Sequence, residues 1–198
     1  GWHMRMRGIM AGALRKIILP FVVFIIIGGT AARGEGVEII LDNGDGGTSF
    51  TGEWKPSTAA GPFGSDSLWG ISGSEYTWQA ALPETGNYEV YLWWTARENR
   101  AADAPIEIMT SGGSEVVRVD QRVNGGRWNL LGQFPFTGEG GGKVTLKAEE
   151  LSHWIFNYLP EWLQPVTYCA DAVKFIFIPE PDDNEEPEPV ENAKPTAR

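Results

Sequence analysis

The stretch "QRVNGGRWNLLGQFPF", Gln121 to Phe136, decides how the chain folds. Asn124, Gly125 and Gly126 supply the positive φ angles that a hairpin turn needs. The residues after the turn read as a strand, whose side chains alternate between two faces. One face carries Trp128, Leu130, Gly132, Phe134 and Phe136; the other carries Asn129, Leu131, Gln133 and Pro135. The first face is the apolar one. That pattern sends Trp128 into the interior as a core plug, against the competing reading of a ligand platform at the mouth of the loop.

The same test applies to "NYEVYLWWT", Asn87 to Thr95. Tyr88, Val90, Leu92 and Trp94 form a core row. Glu89, Tyr91, Trp93 and Thr95 share the opposite face. A tyrosine and a tryptophan one strand step apart can stack on flat sugar rings, whose C–H bonds meet the π cloud. The alternative is that the segment from Glu149 to Tyr168 covers them.

Further strands are read in "VEIILD", "SEYTWQAAL", "PIEIMT", "EVVRVD", "KVTLKA" and "CADAVKFIFI", with Gly, Pro and Asn between them. Eight or nine short strands predict an all-β, antiparallel, jelly-roll-like β-sandwich. The composition agrees, with 25 Gly and 13 Pro beside 9 Trp, 9 Phe and 5 Tyr. One segment breaks the rhythm. In "EELSHWIFNYLPEWLQPVTY", Leu151, Ile155, Tyr158 and Leu159 have the spacing of a short helix, limited by Pro160 and Pro165.

Both ends read as non-globular. Four basic residues between Met4 and Lys16 precede the apolar run "IILPFVVFIII" and the small residues "GGTAARG". This is the order of a secretory signal, with an uncleaved membrane anchor as the second reading of residues 1–34. The first residues, "GWHM", read as a tag remnant or a misplaced start. The last segment, 179–198, is acidic and proline-rich and reads as a disordered tail. Residues 35–178 remain for one globular domain.

The net charge of the chain is −10. The basic leader and the acidic tail cancel, so the domain itself is acidic. Nucleic acid and anionic membrane surfaces are therefore poor partners for it, because both select basic surfaces. A membrane contact would come only through an uncleaved leader. The single cysteine, Cys169, allows no internal disulfide and reads as a small buried strand residue.

Little supports catalysis. His153 is the domain's one histidine, and no serine sits in a G-x-S-x-G elbow. Sequence leaves a pair of glycosidase carboxylates open, because their separation in space decides them. A structural calcium is the one cofactor with residues to hold it: Asp42 and Asp45 in a glycine-rich turn, and Asp171 in the last strand. The competing reading is that Asp42 and Asn43 merely cap the turn. Arg100 and Asp120 follow and precede strands in a way that suggests an ion pair tying two loops, or a polar rim for a sugar.

The segments "DNGDGGTSFTGEW", "GSDSLWG", "TWQAALPETGNYEVYLWWTARENRAADAPIEI", "VRVDQRVNGGRWNLLGQFPF" and "ADAVKFIF", in that order, resemble the golvesin and xanthan-lyase carbohydrate-binding-like domain. The resemblance covers about Val37 to Ile178. It implies a β-sandwich module, usually appended to extracellular bacterial enzymes, with a proposed role in binding carbohydrate or cell-surface material. The chain departs from the family pattern between Glu149 and Tyr168.

These readings converge on a secreted or cell-surface, non-catalytic module. Its expected ligand is polysaccharide or cell-envelope glycan, and its expected ligand-binding residues are Tyr91, Trp93, Arg100, Trp154 and Trp162. The alternative is a cell-surface structural or assembly protein that contacts a protein partner through the aromatic insert 149–168.

Overall fold

The structure is a computed structural model that describes residues 37–138, 141–149 and 166–180. The expected leader, the expected short helix with Trp154 and Trp162, and nearly all of the expected tail lie outside the described residues.

Among the described residues twelve strands form: β1 (Glu38–Leu41), β2 (Thr48–Thr51), β3 (Trp54–Pro56), β4 (Leu68–Gly70), β5 (Glu75–Ala80), β6 (Gly86–Trp93), β7 (Ala104–Thr110), β8 (Gly113–Val119), β9 (Asn129–Phe136), β10 (Gly142–Lys147), β11 (Tyr168–Ala170) and β12 (Ala172–Ile178). The strands read from sequence are all present. The higher count comes from β2, β3 and β4, each only three or four residues long, and from β11, which Asp171 separates from β12.

The strands make two main sheets, in the orders β1-β12-β6-β9 and β2-β5-β10-β7-β8, with a small third sheet β11-β4-β3. Every strand pairing is antiparallel. Alternate residues of both main sheets meet in one core. Tyr88, Val90, Leu92, Phe134, Phe136, Val173 and Phe175 come from the first sheet, and Tyr76, Trp78, Ile106, Ile108, Val144 and Leu146 from the second. Burying each large side chain is worth about 1.5–3 kcal/mol, which makes this interior the main stabilising term. The β-sandwich and the core row of β6 are therefore as the alternation predicts.

Trp128 is not where the alternation puts it. The register of β9 against β6 runs Phe136↔Gly86, Phe134↔Tyr88 and Gly132↔Val90, and then jumps to Leu130↔Tyr91. Leu131 is the extra residue of a β-bulge, and a one-residue slip moves every later side chain to the other face. Leu131 packs against the core, whereas Leu130 is 54% exposed. Trp128 accordingly joins the outer face, beside Trp93.

The loop that carries Trp128 is anchored by a buried glutamine. Gln121 is fully buried; its Nε2 donates to the carbonyl of Cys169 at 2.9 Å, and its Oε1 accepts from the Cys169 N–H at 2.8 Å. The side-chain amide thus replaces a neighbouring strand for β11. Cys169 itself is fully buried, and burial pushes its thiol above the usual range, in keeping with a packing role. Gln121→Ala leaves two buried backbone groups without partners, each worth about 1–3 kcal/mol. Urea unfolding should show a loss of roughly 2–4 kcal/mol for this variant. A loss below about 0.5 kcal/mol would mean that water replaces the amide without penalty.

Candidate functional site

The outer face of the β1-β12-β6-β9 sheet carries an aromatic cluster. Trp93 lies at the end of β6, Trp128 just before β9, and Phe63 in the loop between β3 and β4. Their ring centroids stand 5.6 Å apart for Phe63–Trp93, 5.0 Å for Phe63–Trp128 and 5.4 Å for Trp93–Trp128, all at steep interplanar angles. None of the three belongs to the interior core, and all are only partly buried. The bulge in β9 makes this meeting possible, because it turns Trp128 outward.

Lys174 of β12 joins the cluster. Its Nζ lies 5.0 Å from the centre of the Tyr91 ring and 4.9 Å from that of Trp128, and 3.4 Å from a carboxylate oxygen of Glu38. The side chain is only 13% exposed, so the ammonium braces the two rings from the sheet side. Tyr91 donates its hydroxyl to Glu89 at 2.6 Å. That bond to Glu89 pushes the phenol above its ordinary range. Gln133 donates to the other oxygen of Glu89 at 3.3 Å. The rings are thus fixed in place by polar partners.

The loop between β3 and β4 forms one wall. Trp93 donates its indole N–H to the carbonyl of Gly61 at 2.9 Å, and the N–H of Phe63 reaches the carboxylate of Asp171 at 3.2 and 3.4 Å. The cover that sequence reading assigned to residues 149–168 is, among the described residues, supplied at Trp93 by this loop. Gly61 has a φ of 77° and approaches Gly126 so closely that an added Cβ would stand 3.3 Å from its Cα. A side chain at Gly61 would press against the loop that holds Trp128 and is disfavoured by the positive φ.

Asp171 is fully buried between β11 and β12, and its carbonyl accepts the indole N–H of Trp78 at 3.2 Å. Burial, reinforced by the charges of Asp42 and Asp66, pushes its carboxyl up to about 8, although the bond from Phe63 pulls the other way. Burial likewise pushes Asp42 up to about 6, with Asp45 and Asp66 adding to the rise. Asp66 accepts the Asn43 side-chain N–H at 2.6 Å, and Asn43 Oδ1 is buried without a partner.

The three aspartates read as calcium ligands do not converge. Asp45 uses its carboxylate to accept the N–H of Asp42 at 2.9 Å, which caps the turn. Among the described residues no group of three or more His, Cys, Asp or Glu side chains is placed to hold a metal ion. Asp42 and Asp171 instead each carry a raised carboxyl, to which burial contributes most and the nearby charge of Asp66 adds.

Arg100 and Asp120 do not pair. Asp120 takes both ends of the Arg122 guanidinium, at 2.9 and 2.8 Å, and that bond holds its carboxyl down at about 2. Arg100 is 4% exposed and donates to the hydroxyls of Thr167 at 2.8 Å and Ser57 at 3.0 Å. Of the expected ligand residues, the structure therefore brings Tyr91 and Trp93 together on one face and buries Arg100 near its end. Trp154 and Trp162 lie outside the described residues. Phe63, Trp128 and Lys174 belong to the cluster and were not read as site residues. The signals for them were an aromatic between the glycines of "GPFG" and the Leu130–Leu131–Gly132 break in alternation.

The comparisons with known proteins agree with this architecture. The model of the Golvesin C-terminal domain family matches residues 39–156. The chain is 34% identical over 147 residues to a xanthan lyase of Bacillus sp. (strain GL1), an alignment that takes in 71% of this chain and 15% of the lyase. The chain therefore spans less than a sixth of that relative's length. The solved xanthan lyase of Paenibacillus superposes with a TM-score of 0.62 at 29% identity, over 73% of this chain and 13% of that one. A family 35 carbohydrate binding module of Clostridium thermocellum gives a TM-score of 0.47 at 15% identity, over 70% of this chain and 96% of that one.

The raised carboxyls have a consequence for stability. A carboxyl that holds its proton more tightly folded than unfolded stabilises the fold fully below its unfolded value near 4, and that contribution is lost as pH rises through the folded value. Thermal unfolding should therefore show the melting temperature falling between pH 4 and pH 8, through about 6 for Asp42 and about 8 for Asp171. Asp171→Asn should flatten the fall and raise stability at pH 8, by on the order of 1–3 kcal/mol. Replacing EDTA with excess calcium should leave the profile unchanged; a large rise in melting temperature with calcium would show that the acids hold metal.

Proposed function

The chain belongs to the Golvesin C-terminal domain family, and from that premise we propose that it is a non-catalytic module that binds polysaccharide. The observation that carries the reading is the aromatic face of Tyr91, Trp93, Trp128 and Phe63, held rigid by Lys174, Glu89 and Gly61. Aromatic rings that stand half-exposed on a sheet, outside the core, offer apolar surface to the C–H faces of sugars. Because their polar partners already fix them, binding loses little side-chain entropy.

The relatives support the same direction. The matched region is a small part of two proteins named as xanthan lyases. We carry over from them a contact with polysaccharide and not their lyase activity. Cys169 is buried with its thiol raised, which suits packing and not a nucleophile, and His153 lies outside the described residues. Export by residues 1–34, and a place outside the cell or on its surface, belong to the same proposal.

Native gel electrophoresis through polysaccharide is the direct test. Xanthan and a panel of other plant and bacterial polysaccharides are cast into the gel, and retardation of the full chain is measured. At least one should retard the chain. Trp128→Ala should weaken that retardation by roughly tenfold, equivalent to about 1.4 kcal/mol, with little change in melting temperature because Trp128 is outside the core. Phe136→Ala, inside the core, should instead cost about 3–5 kcal/mol of stability. If no polysaccharide is retained, the reading fails.

A further inference from the structure

Lys55, Arg118, Arg122, Lys147 and Lys174 each pair with a carboxylate. Among the described residues Lys143, Arg97, Arg100 and Arg127 have no such pair, and the three arginines lie at one end of the aromatic face. Arg97 and Arg100 are the ends of a single turn, with the Arg100 N–H donating to the Arg97 carbonyl at 3.0 Å. Their guanidiniums reach adjacent residues of the loop that walls the aromatic face. Arg97 donates to the Thr58 hydroxyl at 3.2 Å, and Arg100 to that of Ser57 at 3.0 Å. Three residues on, the same loop accepts the Trp93 indole at Gly61. Arg127 directly precedes Trp128, and the one partner of its guanidinium among the described residues is the side-chain oxygen of Asn124.

Arg100 is the unusual member. It is 96% buried, since only 4% of it is exposed, and its Nε is buried with no hydrogen-bond partner. Hydroxyl groups take some of its N–H bonds, but no carboxylate neutralises its charge among the described residues. Glu98, exposed in the same turn, pairs with none of the three arginines. A buried cation without a counter-charge is costly, and its field is poorly screened. In a chain of net charge −10, this is a local positive end. Arg97 and Arg127 are exposed and present that field to solvent.

We propose that this arginine end takes a carboxylate of the bound glycan, so that the module recognises an acidic, uronate-bearing polysaccharide rather than a neutral one. Arg97 and Arg127 contact the carboxylate, whose geometry suits a guanidinium fork, and Arg100 supplies positive potential from behind. One sugar ring stacks on Trp93 or Trp128 while its neighbour's carboxylate meets the arginines. The inference rests on the aromatic face being the glycan site.

The test uses the full chain in native gels that contain polygalacturonate, alginate or hyaluronan, each beside the same polymer with its carboxyls reduced to alcohols. At least one polyuronate should retard the chain at least tenfold more strongly than its reduced form. Added salt should weaken only the retardation by the acidic form. The double variant Arg97→Gln, Arg127→Gln changes exposed residues only, and it should bind acidic and reduced forms alike. Equal retardation by both forms, abolished by Trp128→Ala, would overturn the inference and leave the glycan-binding reading standing. Retardation by neutral polysaccharides alone would do the same. No retardation by any polymer would remove both.

Discussion

The carboxylate of Asp171 sits inside the domain where β11 ends and β12 begins, and it accepts the N–H of Phe63 from a loop more than a hundred residues earlier. The backbone of the same residue holds the Trp78 indole at the centre of the core. Asp171 therefore links three parts of the fold: the core, the junction between two sheets, and the loop that walls the aromatic face. A buried carboxylate is an expensive anchor, and its neighbours Asp42 and Asp66 make it more so. Holding its proton up to about pH 8 offsets that cost, which couples the stability of the domain to pH.

The second constraint is the bulge in β9. Without it, the strand's alternation would place Trp128 in the core and leave Trp93 with Phe63 alone. The extra residue at Leu131 places Trp128 opposite Lys174 and Trp93 instead. Gln121, clamped on Cys169, holds the far side of the same loop. The face is thus built from three distant pieces of chain, with Asp171 holding the Phe63 loop and Gln121 the Trp128 loop.

How much of this was legible in the sequence depends on the range over which each feature is determined. The rows Tyr88, Val90, Leu92 and Trp94 are set by period-two alternation within a few residues, and the core follows them. The face of Tyr91 and Trp93 is legible for the same reason. Trp128 was misplaced because a bulge is a one-residue event. Its trace was the Leu130–Leu131 doublet followed by a glycine, which breaks the alternation. The partners of Asp120 and Arg100 were not legible at long range, although the short spacing of Asp120 to Arg122 was available as a local alternative. Phe63 and Lys174 reach the site only through tertiary contacts, and no local pattern marks them. Strands β2 to β4 are too short for alternation to register.

The central claim is that sugar binds on the rings of Trp93 and Trp128, and the indole N–H signals in a nitrogen-15 spectrum report on it directly. Trp93 and Trp78 both donate to fixed carbonyls, Gly61 and Asp171, so each should give a persistent signal. Titration with oligosaccharides cut from a polymer that the chain retains should shift the Trp93 and Trp128 signals and leave buried Trp78 unmoved. Unchanged Trp93 and Trp128 signals, with shifts at Trp54 or Trp69 on the small third sheet instead, would contradict the account.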